Sequence, residues 1–108
     1  MRIISGKFRS RKLIKFNKEG IKPTTDKMRE SIFNIVISYL KINEKNNNLP
    51  FEKFNVLDIF AGTGALGLEA ISRGAENVTF IEKSIDNLRV LYKNIDHLKV
   101  SKKVKIIK

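Results

Sequence analysis

Phe54-Asn55-Val56-Leu57-Asp58-Ile59-Phe60-Ala61-Gly62-Thr63-Gly64-Ala65-Leu66-Gly67 is the stretch that decides the fold. Its first six residues form a short, mostly apolar run and read as a buried strand. Gly62 to Gly67 then match G-x-G-x-x-G, placed between that strand and a helix expected over 65–73. Gly62 and Gly64 permit a sharp turn and a close backbone approach, and Gly67 lets the helix lie tightly on the sheet. Gly74 stands where a helix stop is needed. A second strand is expected at Asn77-Val78-Thr79-Phe80-Ile81-Glu82. Ser84 can cap a further helix that carries Leu88, Leu91, Ile95 and Leu98 on one face, and a third strand is expected at Val104–Ile107. Strands alternating with helices through short connections imply an α/β fold with a parallel sheet and right-handed crossovers.

Beyond the glycines, the next informative residue is Glu82, at the end of the second strand. A carboxylate there can accept hydrogen bonds from both hydroxyls of an adenosine ribose. Turn and acid together point to a nucleoside-containing cofactor at the C-terminal edge of the sheet. Asp58 narrows the choice. A dinucleotide places its pyrophosphate on the helix N-terminus, which a nearby carboxylate repels. The same carboxylate attracts a sulfonium, so the sign of the charge favours S-adenosyl-L-methionine. The plainer alternatives are that Asp58 caps the turn and that Glu82 is a surface acid.

Upstream the chain is basic. Residues 1–22 carry Arg2, Lys7, Arg9, Arg11, Lys12, Lys15, Lys18 and Lys22 against Glu19 alone. Arg2–Ile4 and Leu13–Phe16 read as short strands of a hairpin around Gly6. Pro23 marks a break, Thr24-Thr25-Asp26 offers a helix cap, and apolar spacing from Met28 to Leu40 predicts an amphipathic helix over 26–41. Residues 41–48, rich in Lys and Asn, read as a surface loop. Two units are therefore expected: a basic hairpin over 1–22, and a nucleotide-binding region over 23–108.

Composition limits the function classes. The 108 residues carry 22 Lys+Arg against 11 Asp+Glu, a net charge of +11, which favours a polyanionic partner such as nucleic acid. The absence of cysteine excludes disulfide scaffolds and thiolate metal sites, and a lone histidine, His97, excludes two-histidine sites, so no metal centre is expected. No apolar run is long enough for a membrane helix and no signal sequence is visible, so the expected location is cytoplasmic.

Val56–Ala70 resembles the first cofactor motif of class I methyltransferases, which have a Rossmann-like fold. More specifically the chain is similar to the RsmD-type bacterial guanine-N2 methyltransferases of small-subunit ribosomal RNA. Three further blocks carry that resemblance: Arg2–Leu13, Pro23–Asn34, and Ser72-Arg73-Gly74-Ala75 running into Phe80-Ile81-Glu82-Lys83. It implies that Asp58, Phe60, Gly62 and Gly64 surround the methionine part of the cofactor and that Glu82 holds its ribose. It also implies that Thr25 and Arg29 lie beside the cofactor. The plainer readings are a helix cap for Thr25 and a surface ion pair for Arg29. Arg2, Lys7, Arg9, Arg11 and Lys12 are implied to touch ribosomal RNA phosphates, while Phe8 reads better as a half-buried core residue than as a stacking platform.

The resemblance also implies an Asp/Asn-Pro-Pro-Tyr-type motif that would hold the target amine. This sequence has only Pro23 and Pro50 and no Pro-Pro pair. No catalytic residue is therefore assigned, and Asp58 and Glu82 are kept for the cofactor. The expectation is an N-terminal portion of a methyltransferase, inactive alone, with an apolar edge along Phe54–Ile59. The competing readings are a dinucleotide-dependent oxidoreductase, a non-catalytic RNA-binding fragment, and a DNA methyltransferase.

Overall fold

A computed structural model of the chain describes residues 1–15, 24–40 and 49–108. Helix α1 spans Asp26–Tyr39, followed by β1 (Asn55–Ile59), α2 (Ala65–Ser72), β2 (Asn77–Ile81), α3 (Ile85–Leu98) and β3 (Val104–Ile107). The strands form a parallel sheet in the order β1-β2-β3. Val56 pairs with Val78 and Asp58 with Phe80, while Val78 pairs with Val104 and Phe80 with Ile106. The alternating elements thus fold into the expected Rossmann-like layer. The loop expected over 41–48, the break at Pro23 and the boundary between residues 22 and 23 lie outside the described residues.

The core lies between sheet and helices. In β2 every second residue points inward, and Val78 and Phe80 are fully buried against Leu68 of α2 and Leu91 of α3. Gly67 makes the closeness possible, because a Cβ there would lie 2.2 Å from the Phe80 ring. Phe33 of α1 meets Phe51 edge-on at 5.5 Å and Phe51 meets Phe54 at 5.7 Å, joining α1 to the entry of β1.

Two expectations need correction. Strand β1 is not a buried strand. Asp58 is its one buried residue, whereas Leu57 and Ile59, on the opposite face, are 57% and 54% exposed. Among the described residues β1 is an edge strand, as expected for the apolar edge along Phe54–Ile59, and only its Val56–Asp58 face is turned toward the helices. The N-terminal hairpin is also smaller than its sequence suggests. Among the described residues it has one antiparallel bridge, Arg2 to Lys12, and its turn runs through residues 7–10 rather than around Gly6; Phe16 of the expected second strand lies outside them. The reason is competition for backbone groups. The amides of Ile4 and Ser5 donate to the Glu69 carboxylate, that of Lys7 donates to the Ser72 carbonyl, and that of Phe8 to the Ser72 hydroxyl. The arm is zipped onto α2, so those donors cannot build a ladder. Gly6, at φ +90°, touches Ser72 so closely that a Cβ would lie 1.9 Å from its carbonyl oxygen.

Candidate functional site

The glycine turn sits at the C-terminal ends of β1 and β2. The Ala61 amide donates to the Ile81 carbonyl at 3.0 Å and ties the turn to β2, while Gly64, at φ +90°, caps α2. Gly62 has φ +59°, and a Cβ built on it would meet nothing within 4 Å. The backbone there is laid open, as a ligand cradle requires. Phe60, 89% exposed, also adopts a left-handed conformation at φ +61°. A bulky side chain in that region is strained, and such strain concentrates at functional sites.

Two carboxylates flank the turn. Glu82 follows directly after β2. Its Oε1 accepts the Gly62 amide at 2.7 Å and its Oε2 the Ser84 amide at 2.9 Å. Only these two amides lie at full hydrogen-bond distance, so two adjacent hydroxyls can be accepted in place of the weaker contacts with Asn87 and Lys83. Partial burial pushes its carboxyl up, but donors from Ser84, Gly62, Asn87 and Lys83 prevail and hold it below the ordinary glutamate value. Asp58 behaves oppositely. Burial raises its carboxyl, the Gly67 amide at 3.1 Å opposes this, and the charge of Glu82 adds to the rise. The plainer reading of Asp58 as a turn cap is partly realised in that Gly67 bond. The turn thus presents a buried anion on one side and a more exposed anion on the other, which suits a cationic ligand with a diol.

Thr25 and Arg29 have other partners. Thr25 caps α1, its hydroxyl accepting from the Met28 amide at 3.1 Å. Arg29 is fully buried rather than a surface ion pair. Its Nε donates to Glu69 Oε1 at 3.3 Å, and its Nη2 donates to Asp26 at 3.0 Å and to the Arg2 carbonyl. Nη1 is buried and has no partner among the described residues. Glu69 is the centre of this network. Its Oε2 also accepts from Arg73 Nε at 2.9 Å, and the Arg73 guanidinium lies over Phe33.

Sequence reading missed Glu69, Ser72 and Asn94, the polar anchors of the arm. Buried Asn94 exchanges two hydrogen bonds with the backbone of Ile14 and donates a third to the Thr63 carbonyl in the glycine turn. A signal existed for Glu69, a lone charge in the otherwise apolar run Ala65–Ile71. Of the basic candidates, Arg2 donates to the Ser10 carbonyl at 2.8 Å. Arg11 donates to the His97 carbonyl at the end of α3 and lies 5.9 Å from the centre of the Phe8 ring. Lys7, Arg9 and Lys12 are exposed, and their side chains have no partner among the described residues.

The profile of the family described as "Conserved hypothetical protein 95" matches residues 1–108. This chain belongs to the RsmD family. Over 81 residues, 75% of this RsmD-family chain, it is 43% identical to a Haemophilus influenzae protein named ribosomal RNA small subunit methyltransferase D. It is 42% identical, over the same share, to the Escherichia coli K12 protein of that name. The chain spans 36% and 35% of the lengths of these two relatives. A solved Escherichia coli structure, yhhF, named as a candidate methyltransferase, is 36% identical with a TM-score of 0.72, covering 99% of this chain and 51% of that one. A Thermus thermophilus structure, TTHA0928, is 26% identical with a TM-score of 0.73, covering 99% of this chain and 54% of that one. No helix among the described residues is long and apolar enough to cross a membrane.

Proposed function

We propose that the chain supplies the S-adenosyl-L-methionine site of an enzyme that methylates the exocyclic amine of a guanine in small-subunit ribosomal RNA. The observation that carries this reading is the pair of carboxylates, Asp58 and Glu82, on either side of the open backbone at Gly62. When bound, the cofactor supplies a methyl group made electrophilic by its sulfonium. Glu82 is already oriented by two amides and would accept the ribose hydroxyls in place of its weaker contacts with Asn87 and Lys83. Asp58, held by the Gly67 amide, keeps an anion beneath the turn and stabilises the positive end. Gly62 and Gly64 keep the backbone low, and Phe60 walls the opening. Arg29, enclosed with Glu69, ties α1 to α2 and the arm.

No residue of the chain is assigned to amine activation. That step rests on holding the amine in line with the methyl and orienting its protons, which calls for a further polar loop. The basic arm brings RNA to the site through phosphate contacts, and the names of the relatives favour ribosomal RNA over DNA. Calorimetry tests the cofactor reading. S-adenosylhomocysteine and S-adenosylmethionine bind, NAD does not, and Glu82→Gln weakens binding by roughly ten- to a hundredfold, the loss of charge-assisted bonds worth about 1.5–3 kcal/mol. Preferential binding of NAD would return the site to a dinucleotide enzyme.

A further inference from the structure

The end of the sheet away from the glycine turn carries a second basic feature, built from segments about ninety residues apart in sequence. Gly74 and Ala75 precede β2 and residues 100–103 precede β3, so this is the N-terminal edge of the strands. A cavity of about 270 Å³ opens there between the arm and the connection from α3 to β3. Lys7 and Phe8 line it from the arm, and Lys99, Lys102 and Lys103 from the connection, over an apolar floor that includes Val100. No acidic residue lines it among the described residues, and its four lysines are exposed with no side-chain partner there. Lys99 is the exposed C-cap of α3 and adopts a left-handed conformation at φ 56°. Phe8 is half-buried in the groove wall with the Arg11 guanidinium above its ring.

We propose that this groove is a docking site for the phosphate backbone of the RNA substrate, an anchor separate from the crevice where methyl transfer takes place. The argument is charge complementarity. Four exposed lysines line one concave surface whose lining holds no carboxylate among the described residues, an arrangement that matches successive phosphates. The apolar floor and the flank of Phe8 suit the sugar faces between them. The length of β2 separates groove from glycine turn by about 16 Å, so the groove contributes affinity and orientation without touching the reacting atoms. The identity of the occupant rests on the RNA reading above.

The test is a salt series of RNA affinities for the protein and two triple variants, using a small-subunit ribosomal RNA transcript and fluorescence anisotropy. Lys99→Gln/Lys102→Gln/Lys103→Gln should bind the transcript about ten- to a hundredfold more weakly at ~0.1 M salt, with the log–log salt slope reduced by about two to three. The corresponding Lys→Arg triple should stay within about threefold of the wild type, because charge is retained. S-adenosylhomocysteine affinity should be unchanged in both. Unaltered RNA affinity and slope in the Gln triple, with normal salt-dependent binding by the wild type, overturns the groove and leaves the cofactor reading standing. Absence of any salt-dependent RNA binding by the wild type overturns the RNA reading itself. A Gln triple that keeps RNA affinity but loses affinity for polyglutamate assigns the groove to an acidic protein and overturns the proposal.

Discussion

Replacing Glu69 with leucine removes the acceptor for four donors at once: the Ile4 and Ser5 amides at 2.9 and 3.1 Å, and the Nε atoms of Arg29 and Arg73 at 3.3 and 2.9 Å. Arg29 is fully buried, and among the described residues only Asp26, whose side chain is 43% exposed, remains to face its charge. Breaking a buried ion pair from one side costs about 3–5 kcal/mol. The two orphaned amides are only partly buried and add about 1 kcal/mol between them. A loss of about 4–6 kcal/mol is therefore expected. The net stability of a domain this size is about 5–15 kcal/mol, so most of it disappears in a weakly stable protein. Urea unfolding reads the change as a drop in midpoint, and at about 2 kcal/mol per molar the shift is about 2–3 M. The decisive control adds Arg29→Met and Arg73→Met to Glu69→Leu. Without buried charge the triple should recover at least half of the loss, since an apolar substitute for a buried ionic cluster is close to neutral. A single-variant loss below about 1.5 kcal/mol, or a triple less stable than the single, refutes the account of Glu69 as the electrostatic centre joining arm, α1 and α2.

Two further outcomes concern the crevice. Asp58 has a carboxyl raised above its ordinary 3.8, so its ionisation disfavours the folded state, and that cost grows as pH rises from 3.8 through the folded value. Asp58→Asn, which can still accept from Gly67, should be more stable than the wild type at neutral pH and equal below 3.8. It should also lose affinity for the sulfonium form of the cofactor more than for S-adenosylhomocysteine; calorimetry showing equal loss for both would remove the charge argument. Phe60→Gly relieves a left-handed φ of 61° and should raise stability by up to about 1 kcal/mol in urea unfolding while weakening cofactor binding, whereas a destabilised variant would show that the aromatic ring is structural.

The layer and its turn were readable from the chain because their signals are local. Apolar alternation in Asn77–Ile81, the helical face of Leu88, Leu91, Ile95 and Leu98, and the glycines at 62, 64 and 67 each act within a few residues. The place of Glu82 beside the turn was legible for the same reason, being fixed by strand length and turn position. The arm was misjudged because its partners are remote and polar. Ser72 is sixty-four residues from Phe8 in the chain and Asn94 is eighty from Ile14. No periodicity encodes a backbone amide that chooses a distant carboxylate over the opposite strand. Arg29 illustrates the same limit. Its position on α1 suggests a solvated charge, and only the assembled structure shows that it is enclosed. The lysines at 99, 102 and 103 become a patch only when the arm folds beside them.

The two margins of the sheet are not equivalent. Along β3 the sequence Val104-Lys105-Ile106-Ile107-Lys108 sets ammonium groups among the aliphatics, a standard deterrent to accidental pairing. Along β1 no cation guards the row from Asn55 to Ile59, and Leu57 and Ile59 look outward bare. Extension of the layer by another segment is therefore directional: it is repelled on the lysine side and welcomed beside β1, where a neighbour gains both backbone partners and a greasy floor.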